Sequence, residues 1–439
     1  MGGNKMTRSR YLLLFAAVAA LYVVTAYVHS WNLALSILQM GLLSSIMALG
    51  VNMQWGYAGL FSTGIMGSVA LGGLAVVLVA GNPVPEGWAA GGPRIFGAMI
   101  FAVVSIVAAT MTWRRMKAGR TRAITVIVVM LAAFTLYRLI LDPAVTAVEA
   151  NNPALYGNIG GLGANALWAW PLGAVFAAAA AWVIGKIALG LRSDYLAIAT
   201  LGIAEIVLTV IKNEDWLARG VKNLNITSRP FPVPYEVTLQ KSPEFLARVA
   251  DWGLDPVTTS TIMVKLIYCS MFAAVLLALI FLSERALHSP WGRMMRAIRD
   301  NEVAAEAMGK DVTRRHLQIF IIGSAVVGLA GAMMTSMDGQ LTPGAYSPLR
   351  FTFLIWVMVI VGGSGNNWGS VLGGLLIGWL WLIVENAGPV FMSYATMALN
   401  DGPLKQHFID SAPHLRLVTL GLALLLVLRF SPRGLLPEK

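Results

Sequence analysis

Apolar runs of about 20 residues, long enough to cross a bilayer as helices, recur along the whole chain. A water-soluble core has nowhere to put so many of them, so they must meet lipid and one another. Composition agrees. Of 439 residues, 57% are hydrophobic and 12% charged, where soluble domains carry about 25% charged residues. About twelve apolar segments can be counted, several of them short or broken. The expected fold is an all-α polytopic membrane protein with roughly nine to twelve transmembrane helices, some broken or re-entrant. A net charge of +11 would suit nucleic acid. The basic residues instead sit in short loops between apolar runs, the pattern that orients membrane proteins, so no nucleic-acid partner is expected.

Lys5, Arg8 and Arg10 precede the run 11–28 and put the N-terminus on the cytoplasmic side, with Tyr27 and Trp31 in the far aromatic belt. A second run covers 33–51. The stretch QWGYAGLFSTGIMGSVALGG, 54–73, is rich in Gly and Ser at membrane depth, and a third span is expected over 60–80. Irregular backbone is tolerated there only against protein or along a cavity. Gly56 and Gly59 are therefore pathway candidates, with close helix packing through small residues as the plainer alternative. The span 95–113 ends in Arg114, Arg115, Lys117, Arg120 and Arg122, five cations in nine residues, which marks a cytoplasmic turn. The span 123–141 returns, and 142–165 reads as a loop. After the span 166–191, the run 195–212 carries Glu205 inside apolar sequence. An ionisable group there is expensive, so Glu205 either lines a pathway or hydrogen-bonds a neighbouring helix.

Residues 213–260 carry five Lys or Arg against six Asp or Glu, and this lack of positive excess suits the outer side. The span 261–283 crosses back. Further on, 351–361 breaks at GGSGNNWGS and the span is expected to continue to 385. Gly365, Gly369 and Gly373, spaced by four, read as a helix-packing face. A polar loop, 386–413, precedes the last span, 415–429, and Arg433 and Lys439 follow it.

The turn-back at 283–316 holds seven Lys or Arg and five Asp or Glu, yet still reads as helix. Ser289 can cap a helix that starts at Pro290. Arg293, Arg296 and Arg299 recur on one side, and Asp300 or Asn301 can cap a second short helix. Val303, Ala304, Ala307 and Met308 form a small apolar stripe, and Glu302 and Glu306 share another face. Gly309 suits the left-handed residue that ends a helix. Two short amphipathic helices between spans, with small residues exposed, suit a soluble partner; an ordinary solvated loop is the plainer reading. Elsewhere the chain lacks a phosphate-cradling GxxxxGK[ST] loop and the HExxH and GxSxG motifs. Its one cysteine, Cys269, lies in an apolar segment, and no Cys/His cluster suggests a metal. No catalytic residues, metal or cofactor are expected on this chain.

YLAIATLGIAEIV (195–207), RAIRDNEVAAEAMGKDVTRRHLQIFIIGSAVVGLAGAM (296–333), VGGSGNNWGSVLGG (361–374) and FSPRGLLPE (430–438) together resemble the LivM-type inner-membrane permeases of branched-chain amino acid ABC transporters. QWGYAGLFSTG (54–64) is similar to a broken segment near that family's first spans. The resemblance implies one permease domain over 1–439, a periplasmic insertion at 213–260 and a cytoplasmic coupling loop at 284–316. It implies a multi-pass protein of a bacterial inner membrane with both termini cytoplasmic. It makes Glu302, Ala304, Ala305, Glu306, Ala307 and Gly309 the ATPase-docking residues. The implied partners are a second permease, two ATP-binding subunits that use ATP, a periplasmic binding protein and membrane lipid. There are departures. In the general permease motif the first position would be Val303, so only the branched-chain variant of the loop fits. The segment 218–230 lacks the Gly-Asn-Gly pattern expected after the long span, and 95–141 is an elaboration. Urea or short-amide permeases share much of the pattern, and a stand-alone carrier is the alternative from another class.

Overall fold

The computed structural model describes residues 2–152, 157–397 and 402–438; Lys5, Arg8 and Lys439 lie outside the residues whose side chains it describes. The helices are α1 (Gly2–Val28), α2 (Trp31–Ala58), α3 (Ile65–Ala80), α4 (Pro85–Arg115), α5 (Arg120–Glu149), α6 (Ala169–Ala188) and α7 (Ser193–Asn213). Short elements follow: α8 (Asp215–Ala218), β1 (Leu224–Asn225), α9 (Glu236–Lys241) and α10 (Pro243–Asp251). The chain continues through α11 (Pro256–His288), α12 (Pro290–Asp300), α13 (Glu302–Ala307), α14 (Val312–Asp338), β2 (Gln340–Leu341), α15 (Leu354–Gly362), α16 (Asn367–Ala395), α17 (Pro403–Asp410) and α18 (Leu415–Phe430).

Among the described residues ten helices are long and apolar enough to cross a membrane, and two shorter apolar ones, Ile65–Ala80 and Leu349–Gly362, bring the passes to twelve. Successive passes alternate in direction. Gly50 lies against Gly323, and Gln54 bonds Phe320 and Ser324, so α2 and α14 run antiparallel. Gln39 reaches the Lys265 carbonyl while Tyr57 lies near Ser283, so α2 and α11 run parallel. One end of the bundle therefore carries the 114–122 turn and α12–α13, and the other carries 214–255. We call these the basic end and the insertion end. At the insertion end β1 pairs antiparallel with β2, Leu224 opposite Leu341 and Asn225 opposite Gln340.

α2, α3, α6 and α14 make the centre. α14 carries Gly323, Gly328 and Gly331, and a Cβ at any of them would strike backbone of α2, α6 or α3. Without a hydrophobic drive between helices in lipid, close backbone approach supplies the packing. α4 and α5 pack chiefly on each other, with most of their surface facing outward. They rejoin the bundle through the cluster of Ile95, Ala98, Leu141, Ala144 and Val148 around Trp216.

Four expectations change. The third span does not begin at residue 60, because α3 starts at Ile65 and Gly59–Gly64 before it is not helical. The loop expected over 142–165 starts later, since α5 runs through Pro143 to Glu149. The loop expected over 386–413 is largely helical, with α16 running to Ala395 and α17 following. The segment 351–385 is not one broken span but a hairpin. A Cβ on Gly369 would meet the Gly362 carbonyl, and one on Gly373 the Met358 carbonyl, so α15 and α16 run antiparallel. Gly363 (φ 117°) and Gly365 (φ 82°) make the reversal, in backbone that side-chain-bearing residues avoid. Asn366 caps α16 by accepting from the backbone N–H groups of Trp368 and Gly369. Gly365 therefore lies in the turn, outside the helix-packing face expected for it; Gly369 and Gly373 are in the helix.

Candidate functional site

The platform at the basic end is built from local capping. The Ser289 hydroxyl accepts from the Gly292 N–H and Pro290 occupies the first turn, as the sequence suggests. Asn301, not Asp300, caps α13, accepting from the Ala304 N–H at 2.9 Å. α13 ends as Gly309 turns left-handed at φ +74°. The Lys310 N–H reaches the Ala305 carbonyl and the Gly309 N–H the Glu306 carbonyl, which satisfies two orphan acceptors. Met295 and Ile298 anchor α12 in the protein.

Of the six residues expected to dock a partner, Glu302, Ala304, Glu306, Ala307 and Gly309 are exposed. Ala305 is turned inward and packs with Ile298 and Val312. The reason is helical phase: on so short a helix one residue must face the bundle, and the residue between Ala304 and Glu306 does. Val303 and Met308, 76% and 79% exposed, extend the open surface at either end. The apolar stripe expected from the sequence thus lies outside, uncovered by the described residues.

Gly56 and Gly59 lie below this platform, where α2 ends. Gly59 is the left-handed cap of α2, at φ +67°. A Cβ on Gly56 would meet the backbone N of Gly365 at 2.5 Å. The Gly56 carbonyl accepts from the Arg299 guanidinium, which also bonds Glu438 at 2.8 Å. Partial burial alone would lower the Arg299 pKa; the hydrogen bonds and charges of Glu438 and Asp300 outweigh it and raise the pKa above its ordinary value. The segment 431–438 is stitched alongside, with the Leu435 N–H bonded to the Val361 carbonyl and the Leu436 N–H to the Gly362 carbonyl, each at 2.9 Å. Sequence reasoning noticed 430–438 only as a resemblance and did not find this contact, which joins residues 139 positions apart.

A second site is the seam where the non-helical stretch Gly59–Gly64 joins α2 to α3. Its backbone groups are satisfied by side chains from two other passes. The Thr63 N–H donates to the Thr200 hydroxyl at 3.1 Å, and Thr352 and Trp356 donate to the Thr63 and Ser62 carbonyls at 3.1 and 3.0 Å. Leu349–Phe353, before α15, is wound as a π-helix, a wide turn often found at functional positions. Ser62, Ser68, Thr200, Ser324 and Gln54 line a cavity of about 10 Å3 here, room for about one water and not for a metabolite. Among the described residues Glu205 is exposed, on the open face of α7 with Ile198 and Ile206. Of its two sequence readings, a bond to a neighbouring helix of the same chain finds no support.

Twelve apolar helices among the described residues, a non-helical stretch held by side chains of other helices and an exposed pair of capped helices make this a multi-pass membrane protein. A family model described as the branched-chain amino acid transport system permease component matches residues 146–428, and the chain belongs to that family. It is a family of transport-system permeases, not of enzymes. Relatives include the probable branched-chain amino acid transport permease protein LivM of Methanocaldococcus jannaschii, 30% identical over 57% of this chain and 61% of its own. LivM of Escherichia coli, a high-affinity branched-chain amino acid transport system permease protein, is 30% identical over 53% of each chain. LivH of E. coli, named likewise, is 28% identical over 27% of this chain and 36% of its own. The chain thus spans between half and two thirds of the LivM relatives it matches. No solved structure matches it. The family match begins at residue 146, so α1 to α4 and most of α5 lie outside it.

Proposed function

We propose that this chain is the permease subunit of an ATP-driven importer of branched-chain or other small amino acids in a bacterial inner membrane. The basic end faces the cytoplasm and 213–260 the periplasm, where a binding protein delivers substrate. A second, related permease packs beside it, and two ATP-binding subunits drive the pair. The observation that carries this is the α12–α13 platform, whose exposed stripe of Val303, Ala304, Ala307 and Met308 lies in a loop otherwise rich in charge. In this reading an ATPase covers it, and closure of the ATPases biases the spans between two states.

Glu205 supports the second permease. A charge at mid-span facing lipid costs about 2.5–3.5 kcal/mol on insertion scales, and a neighbouring chain with a polar or water-lined face would remove that cost. The seam cavity in this chain is too small for an amino acid, which suits a passage completed by that second chain.

Ala304→Arg and Val303→Arg test the reading in the complete reconstituted complex. Neither alters a span, so membrane insertion is kept, while a large charge under a docked surface blocks docking. Loss of ATPase co-purification and of leucine uptake is the expected outcome. Stoichiometric ATPase with normal uptake would refute it and favour a stand-alone carrier. Uptake of urea or a short amide in place of leucine would keep the machine and change the cargo.

A further inference from the structure

Five parts of the molecule meet beneath the platform. Arg299, on α12, donates to the Gly56 carbonyl at the end of α2 and to Glu438 at 2.8 Å. Glu438 belongs to the segment whose Leu435 and Leu436 are bonded to the end of α15. The α15–α16 turn closes the circle. The Gly365 N–H donates to Asn52 of α2 at 2.8 Å, and Asn366 donates to the Pro437 carbonyl at 3.3 Å. Beside it Asn367 bonds Tyr57 of α2 and donates to Glu284 of α11 at 2.9 Å. The turn has no room for more. A Cβ on Gly365 would stand 2.6 Å from the Glu438 carboxylate and 3.4 Å from the Arg299 guanidinium.

The chemistry matters here. A guanidinium is a planar fork with five donors and can hold a carbonyl and a carboxylate at once, which an ammonium on a flexible stem does poorly. The Arg299 and Glu438 side chains are 24% and 29% exposed, so water screens the pair only in part. The same guanidinium also meets Asp300, which is 67% exposed, a contact of little consequence by comparison. Arg299 sits one helical turn before α13. A push on the exposed face of α13 reaches α15 and α16 through this side chain and the segment that holds it, beside the direct packing of α12 on α2 and of α13 on α14.

We propose that Arg299 and Glu438 form a clasp that transmits movement of the α12–α13 platform to α2 and to the α15–α16 hairpin, with Arg299 as the positioning residue. This rests on the reading of the platform as an ATPase-docking surface. The clasp is not part of that surface: it faces the bundle, and its loss leaves Val303, Ala304, Ala307 and Met308 in place.

The test uses the complete reconstituted complex with its binding protein, and reads two quantities. ATPase co-purification reports docking. The ratio of substrate transported to ATP hydrolysed reports transmission. Glu438→Ala, Glu438→Gln and Arg299→Lys should each keep stoichiometric ATPase. The ratio should fall about fivefold in Glu438→Ala and Arg299→Lys, the scale of one partly screened charge-assisted hydrogen bond. Glu438→Gln, which keeps an acceptor oxygen, should fall less. The double variant Arg299→Lys with Glu438→Ala should be no worse than either alone, because both remove one link. Asp300→Ala should leave the ratio unchanged. An unchanged ratio in Glu438→Ala and Arg299→Lys overturns the clasp. So does loss of ATPase from these variants, since the contact would then serve docking or folding. Failure of the docking reading would show elsewhere, as retained ATPase and uptake in Ala304→Arg.

Discussion

Gly369→Ala puts one methyl group where three carbonyls converge. An ideal Cβ there would stand 2.8 Å from the oxygen of Gly362, 2.9 Å from that of Gly363 and 3.0 Å from that of Leu436. Carbon and carbonyl oxygen settle at about 3.3–3.6 Å, so each oxygen must retreat by about 0.3–0.8 Å. None can rotate away, because all three are backbone. The Gly362 oxygen also accepts from the Leu436 N–H at 2.9 Å, so its retreat strains the stitch that holds 431–438. Overpacking of this kind costs about 1–3 kcal/mol, and the gain in helix propensity, at most about 1 kcal/mol, offsets part of it. The net expectation is a loss of about 1–2 kcal/mol. Gly421, in α18, has nothing within 4 Å of its Cβ position, so Gly421→Ala should gain up to about 1 kcal/mol. Thermal denaturation of the two variants in the same detergent, followed by loss of monodisperse protein, compares them directly. For a chain this long each kcal/mol moves the midpoint by roughly 1–2 °C, so Gly369→Ala should melt about 1–6 °C below Gly421→Ala. A Gly369→Ala midpoint equal to or above that of Gly421→Ala would show that α15 and α16 are not held at this distance.

Two more expectations are open to measurement. In a Cys269→Ser background, Lys117→Cys and Asp300→Cys should be labelled by an impermeant maleimide only after cells are opened; labelling of either in intact cells reverses the proposed orientation. Asp255 caps α11, accepting from the Thr258 N–H at 2.8 Å and its hydroxyl at 2.7 Å. These bonds hold its carboxylate pKa below the ordinary value. Its folded pKa lies below its unfolded one, so the stabilisation is present above the unfolded pKa of about 3.9 and is lost as pH falls through the lower folded value. Asp255→Asn should flatten the acid limb of a stability–pH profile, and an unchanged acid limb would show that the cap does not titrate.

What the sequence discloses here is what acts over short range. Ser289 with Pro290, and Gly309 after a short helix, are capping signals complete within a few residues, and the structure bears them out as drawn. The phase of α13 was one step harder. Ala304 and Ala305 are alike in size, and only Ile298 and Val312, brought together by the fold, decide that Ala305 turns inward. The hairpin at 363–366 is hidden in the sequence for a similar reason. Glycines spaced by four serve a helix face and a reversal equally well, and choosing between them needs Asn366 at the cap and α2 alongside. Glu205 was legible as an anomaly, but which way it pointed was not, because an amphipathic pattern has no contrast when every face is apolar.

The non-helical stretch Gly59–Gly64 sets an order of events during synthesis. The carbonyls of Ser62 and Thr63 enter the membrane early, yet the donors that satisfy them, Trp356 and Thr352, follow 294 and 289 residues later. Until then those two oxygens need water or a surrogate partner, since hydrocarbon offers neither and leaving them bare costs several kcal/mol each. The first third of the chain is thus committed to waiting, half-seated, for the last third. A ribosome that stalls before α15 leaves a nascent chain whose α2–α3 joint is still open, and an insertase or quality-control protease that recognises polar backbone in lipid would find it there.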